Sequence, residues 1–109
     1  MDQTKVSREL KQYIQRVKKK VDPEKIILFG SFAKKRASAW SDIDILVVAR
    51  FSNIAEKKRF DVLYDLEKDL IRQHDFHVYG VTPQEFENAK PWTIFDEIKK
   101  EGIVLYSKN

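Results

Sequence analysis

A chain of 109 residues with 21 Lys or Arg, 17 Asp or Glu and no Cys holds no disulfide framework, thiolate nucleophile or Cys-based zinc site. With 42% apolar residues, seven Phe and two Trp, it can build one globular domain, residues 1–109, without covalent staples. No apolar run reaches the ~18 residues that span a bilayer, and "MDQTKVSREL" lacks a signal-peptide core, so no membrane role and a cytoplasmic location are expected.

Charge is uneven along the chain. Residues 1–36 hold eleven Lys or Arg against four acids, net +7, and the remainder ten against thirteen, net −3. Such a bias suits a phosphate-rich or acidic partner, or simply a solvated helix face. The basic N-terminal segment has no interleaved aromatics for stacking bases, so nucleic acid is not the expected direct target.

Val6, Leu10, Tyr13, Ile14, Val17 and Val21 recur at helical spacing and predict an amphipathic helix over 3–20. Lys18, Lys19 and Lys20 suit its C-terminal dipole end, and Asp22-Pro23 stops it. "KIILF", 25–29, reads as a buried strand, and Gly30 to Ser41 as a connection with a helical turn at "SFAKK". "DIDILVVA", 42–49, is a second strand. Asn53 and Glu56 have capping-box spacing and predict a helix to about Arg72, with Phe60, Leu63, Leu66 and Leu70 inward. "DFHVYGV", 75–81, is a third strand, and Thr82-Pro83 starts the short helix "PQEFENA". Thr93 caps a last helix to Glu101, Gly102 closes it, and "IVLY", 103–106, is an edge strand. The order predicts an α+β fold: a small mixed β-sheet with helices packed mainly on one face.

Two aspartates interrupt the second strand. Side chains alternate across a strand, so Asp42 and Asp44 share a face, about 6.6–6.8 Å apart along it. Leu46 and Val48 continue that face, while Ile43, Ile45 and Val47 take the other. Paired carboxylates at a strand start make a hard oxygen site suited to Mg²⁺ with substrate phosphates. Upstream, Gly30 lets backbone approach a ligand, Ser31 adds a hydroxyl, and Lys34, Lys35 and Arg36 can neutralise phosphate. Alone, Gly-Ser is a turn, Asp-x-Asp a pair of surface acids and Lys-Lys-Arg a solvated run. His74 and His77 have no Cys partners for zinc, and Ser31 has no triad or G-x-S-x-G elbow. Trp40 and Trp92 read as partial core or rim residues sooner than as stacking platforms.

The combination is more specific than its parts. "GSFAKKRASAWSDID" resembles the signature of the minimal nucleotidyltransferases, small members of the DNA polymerase β superfamily: Gly-Ser, ten residues, Asp-x-Asp. "KIILFGSFA", "SDIDILVV", "TPQEF" and "IKKEGIVLY" extend the resemblance over most of the chain. It implies the nucleotidyltransferase fold and Mg²⁺-assisted transfer of a nucleoside monophosphate, AMP from ATP above other NTPs, to an acceptor hydroxyl. Gly30 and Ser31, with Lys34, would hold phosphates, and Asp42 and Asp44 the metal. The family often has Arg-Gly after "GSFA". Here Lys34-Lys35 keeps the charge but loses the bidentate fork.

The family's third carboxylate lies five residues before a Thr like Thr82. That position is His77, and Asp75 lies two residues earlier on the same strand face. Asp75 can serve as the third ligand, or His77 as base beside the acceptor. Otherwise the site is degenerate with one Mg²⁺, or both residues are bystanders. No separate acceptor-binding region is legible, and small members of the family commonly pair with an all-helical HEPN partner. The resemblance therefore implies an antitoxin that attaches AMP to a HEPN-type toxin. The alternatives are a binding-only antitoxin and an aminoglycoside-like small-molecule enzyme completed by a homodimer.

Overall fold

The computed structural model describes residues 3–37, 41–70 and 74–108; Trp40, Arg72 and the side chain of Val6 lie outside the described residues. Helix α1 runs Gln3–Val21 and buries Leu10, Tyr13 and Val17. It stops where Asp22 adopts a positive φ of 48° just before Pro23, a conformation that short polar side chains tolerate best after Gly. Four strands follow the predicted positions: β1 Lys25–Phe29, β2 Ile43–Val48, β3 Phe76–Val81 and β4 Ile103–Ser107. Their order across the sheet is β3-β2-β1-β4. β1 pairs antiparallel with β2 and with β4, and β2 pairs parallel with β3. The sheet is mixed, as expected, and β3 and β4 are its edges.

The connections are α2 (Gly30–Ala33), α3 (Arg59–Asp65, entered through a 3-10 turn at Glu56–Lys58), α4 (Pro83–Glu87) and α5 (Ile94–Glu101). The larger core lies on one face, where Tyr13 and Val17 of α1 and Leu63 of α3 meet Ile26, Ile43, Ile45 and Val47. Tyr13 donates its hydroxyl to the Leu63 carbonyl at 2.8 Å, and Arg16 donates to the Leu66 carbonyl at 3.0 Å, so α1 holds the end of α3. The opposite face is not bare. Ile27, Phe29, Leu46 and Val48 pack there against Phe86 of α4 and Ile98 of α5. Both faces of β2 are therefore buried beyond its first turn, which explains an apolar run with so little alternation.

Several local expectations need correction. The Asn53/Glu56 capping box does not form: Asn53 sits at φ 65°, and Ala55, with no side-chain cap, precedes the 3-10 turn. The capping box is instead at Thr82, where Glu85 accepts from Thr82 N at 2.7 Å and Thr82 Oγ1 accepts from Glu85 N at 3.2 Å. Phe60 is 60% exposed rather than inward. α3 is only one short stretch, so Leu66 and Leu70 reach the core from the turns after it, and the 60-63-66-70 stripe is not one helical face. Thr93 does precede α5 but makes no side-chain cap; its hydroxyl donates to the Lys90 carbonyl at 2.7 Å. Gly102 does follow α5, yet in extended conformation at φ −68°. It is small because a Cβ there would lie 2.5 Å from the Ile98 carbonyl oxygen and 2.6 Å from Ile27.

Candidate active site

β1 delivers the chain to Gly30 at the end of its apolar run, and antiparallel pairing sets Phe29 opposite Asp44. Gly30 has φ +73°, and a Cβ on it would lie 2.3 Å from Asp44 Oδ2. Only glycine occupies that backbone region freely and leaves the carboxylate its place. The Gly-Ser turn and the Asp-x-Asp strand are thus in direct contact, although ten residues separate Ser31 from Asp42.

Parallel pairing then sets His77 of β3 beside Asp44. His77 Nε2 lies 3.4 Å from Asp42 Oδ2 and His77 Nδ1 lies 3.7 Å from Asp44 Oδ1. Asp75 sits just before β3. Its carbonyl accepts from Ile43 N at 2.8 Å, and the residue lines a hollow with Phe60, Tyr64, Glu67 and His77. Among the described residues, then, the group paired with both carboxylates is His77.

Burial pushes the Asp44 carboxyl above its usual range; the His77 imidazole opposes that rise and Asp42 adds to it. A desolvated carboxylate beside a second one is a site short of positive charge. That donor set, two hard oxygens with an open flank, fits a divalent cation, and Asp42 and Asp44 are the residues that would hold it.

A cleft of about 400 Å³ opens from this point, lined by Gly30, Ser31, Lys34, Asp44, Tyr79 and Glu97 among others. Lys34 is not free within it. Its ammonium pairs with Glu97, and with Glu101 at 3.3 Å, and the hydrogen bonds to Glu97 and then Glu101 raise its pKa. Arg36 shares the cleft, and its amide donates to the Ser31 carbonyl at 2.8 Å. Sequence reasoning missed Glu97 and Glu101, whose i, i+4 spacing on α5 gives no hint of a partner far back in the chain. It also missed Tyr79, although strand alternation from His77 places it on this face. His74 is buried and structural: its Nδ1 lies 2.8 Å from the Ser41 carbonyl oxygen and its ring packs edge-on against Phe32 at 5.0 Å. Trp92 is almost wholly exposed.

The family model for "Polymerase beta, Nucleotidyltransferase" matches residues 9–109. The chain belongs to the polymerase β-type nucleotidyltransferases. Two proteins of Methanocaldococcus jannaschii, both provisionally named as protein adenylyltransferases, are similar to this nucleotidyltransferase. One is 31% identical over 101 residues, covering 89% of this chain and 94% of the relative. The other is 32% identical over 82 residues, 72% of this chain but only 54% of the relative, so the match spans about half of that protein. Among solved structures, one titled as a nucleotidyltransferase of Sulfolobus solfataricus superposes with a TM-score of 0.65 at 18% identity, over 93% of this chain and 79% of that one. Another, titled as a toxin-antitoxin with AMP-PNP, gives 0.59 at 21% identity, over 91% and 73%. Both likenesses are of fold. Among the described residues no helix is long and apolar enough to cross a membrane.

Proposed function

We propose that this nucleotidyltransferase moves AMP from ATP to a hydroxyl group of a partner protein, and that the partner is a HEPN-type toxin which the transfer silences. The observation that carries the reading is the contact between Gly30 and the Asp44 carboxylate, which makes one site of two sequence motifs. Support for a protein acceptor comes from the two archaeal relatives, named for protein adenylylation. The HEPN partner follows from the resemblance to the minimal nucleotidyltransferases. The toxin-antitoxin title of one solved neighbour agrees with it but carries the fold alone.

In this reading the triphosphate lies in the cleft with its tail over Gly30 and Ser31. Asp42 and Asp44 turn their oxygens to the bond that breaks. A divalent cation there, Mg²⁺ in the family, would offset the charge that builds on the phosphate oxygens. Its carboxylate holders would gain as well, since Asp44 is desolvated. The acceptor oxygen bonds to the α-phosphorus, the bond to pyrophosphate breaks, and the hydroxyl proton passes to solvent water. His77 is half exposed on the edge strand, the open flank from which an acceptor would approach. Lys34 reaches phosphate only by giving up Glu97 and Glu101.

The test is incubation with each labelled NTP, Mg²⁺ and the product of the neighbouring gene. The expected result is label from ATP on that protein, lost in Asp44→Ala. One observation favours a second reading, a binding-only antitoxin: among the described residues no group of three His, Cys, Asp or Glu stands ready to hold an ion. A tight complex with the partner, bound ATP analogue and no label transfer would establish that reading over the first.

A further inference from the structure

Three features of one sheet face lie in the order in which a nucleoside triphosphate would meet them. Register pairs Phe29 of β1 with Asp44 of β2, and Leu46 of β2 with Tyr79 of β3. Gly30 and Ser31 therefore stand on the β1 side of Asp44. Tyr79 stands on the β3 side, one strand over and two residues further along. With strands about 4.8 Å apart and about 6.6 Å between alternate residues, that diagonal is about 8 Å. A triphosphate with its tail over the Gly-Ser turn and its α-phosphate at Asp44 carries its ribose and base on the side away from the tail. Gly30, Ser31, Asp44 and Tyr79 all line the one cleft.

Tyr79 has the form of a platform. Its strand neighbours Val78 and Phe76 are buried, yet Tyr79 itself is 51% exposed. Phe29, which is buried, backs its ring at 6.0 Å with a 46° tilt. A large ring left half in water inside a cleft gains when a flat, apolar-faced ligand covers it, and every nucleobase has such a face. Ile94, 53% exposed in the first turn of α5, lines the same cleft. α5 sits over β1, where Ile98 joins Ile27 and Phe29 in the second core, so Ile94 and Tyr79 belong to different walls with β2 between them. Tyr79 also borders the hollow that Phe60 and Tyr64 line, and docking of a protein there is the competing use of the ring.

We propose that Tyr79 is the base-stacking residue of the nucleotide site, with Ile94 closing the slot, and that it makes the site favour purine over pyrimidine triphosphates. The preference follows from area: a bicyclic base covers more of the ring than a monocyclic one. The inference rests on the reading of this cleft as a nucleotide site, and it names the residue that grips the base.

The experiment reads binding. Wild type, Tyr79→Ala and Tyr79→Phe are titrated calorimetrically with α,β-methylene ATP, α,β-methylene CTP and inorganic tripolyphosphate, each with Mg²⁺. Tyr79→Ala should weaken the ATP analogue by about fivefold to 150-fold, the contribution of one base stacked on one aromatic side chain, and leave tripolyphosphate unchanged. Tyr79→Phe should keep wild-type affinity, and the preference for the ATP over the CTP analogue should shrink in Tyr79→Ala. In the wild-type complex, nuclear Overhauser contacts should join the adenine ring protons to the Tyr79 ring. Analogue bound without those contacts, equal affinity in wild type and Tyr79→Ala, or an equal loss for analogue and tripolyphosphate overturns the inference and leaves the nucleotidyltransferase reading standing. Loss in Tyr79→Ala of binding to the neighbouring gene's product alone also overturns it and gives the ring to docking. Binding of neither analogue nor tripolyphosphate to wild type overturns both.

Discussion

Gly30→Ala should damage the site more than it damages the fold, and a double-mutant cycle with Asp44 separates the two effects. At φ +73° an alanine pays roughly 1–2 kcal/mol for the left-handed backbone. Its Cβ would also lie 2.3 Å from Asp44 Oδ2, 3.2 Å from Cγ and 3.5 Å from Cβ. Only the carboxylate is in severe conflict, and it sits at the far end of a rotatable side chain. Turning it aside off its preferred rotamer adds about 0.5–1.5 kcal/mol, for a total of about 1.5–3.5 kcal/mol in the wild-type background. Asp44→Ala leaves only the 3.5 Å contact, an ordinary van der Waals distance. In that background Gly30→Ala should cost the backbone strain alone, giving a coupling on the order of 1 kcal/mol. Urea denaturation of the four proteins measures it, and calorimetric titration with ATP analogue and Mn²⁺ should show binding lost in Gly30→Ala. Strict additivity of the two substitutions, with cation binding intact in Gly30→Ala, would refute the contact on which the site is built.

Asp44→Asn should hold or raise stability at neutral pH. The folded-state pKa is raised from the usual 3.8, so as pH climbs through that interval the native state keeps a proton the unfolded chain has lost, and stability falls. The variant should gain on wild type across that window and lose the advantage in acid; thermal melts at pH 3 and pH 7 check it, and equal differences at both would count against burial as the cause. Replacing both Glu97 and Glu101 by Gln frees Lys34 and should tighten ATP binding at low salt, measured by fluorescence titration; unchanged affinity would mean that Lys34 never meets phosphate. Tyr13→Phe leaves the buried Leu63 carbonyl without its 2.8 Å donor and should cost about 0.5–1.5 kcal/mol in urea denaturation, with nucleotide binding unaltered.

Strands were the most legible part of the chain because their boundaries are chemical. β1 begins at Lys25 and ends where Gly30 turns, and β2 and β3 each begin directly after an aspartate. Alternation also placed Asp44 and Leu46 on one face and Ile43 and Ile45 on the other, as the two cores show. Helix ends resisted, since propensity alone does not say that Asn53 turns left-handed or that α3 stops at Asp65. In the site, contact between Gly30 and Asp44 could be expected from the motif, and His77 from the count back to Thr82. The engagement of Lys34 by Glu97 and Glu101 could not. It joins the turn after α2 to a helix that arrives only after two more strands and two more helices have been placed, and local pattern carries no information at that range.

The double burial of β2 has a consequence for how this family drifts. A slip of one residue would send Ile43, Ile45 and Val47 to the wrong core and Leu46 and Val48 to the other, so alignment of the strand is enforced by its hydrocarbon and not by its aspartates. The polar groups at the strand's leading end are passengers on a scaffold that needs none of them to stand. Substitution there can change or extinguish the chemistry while the shape offered to a partner stays as it was. The imidazole of His77 stands half exposed on the neighbouring edge strand, where exchange with a carboxylate would leave both cores untouched.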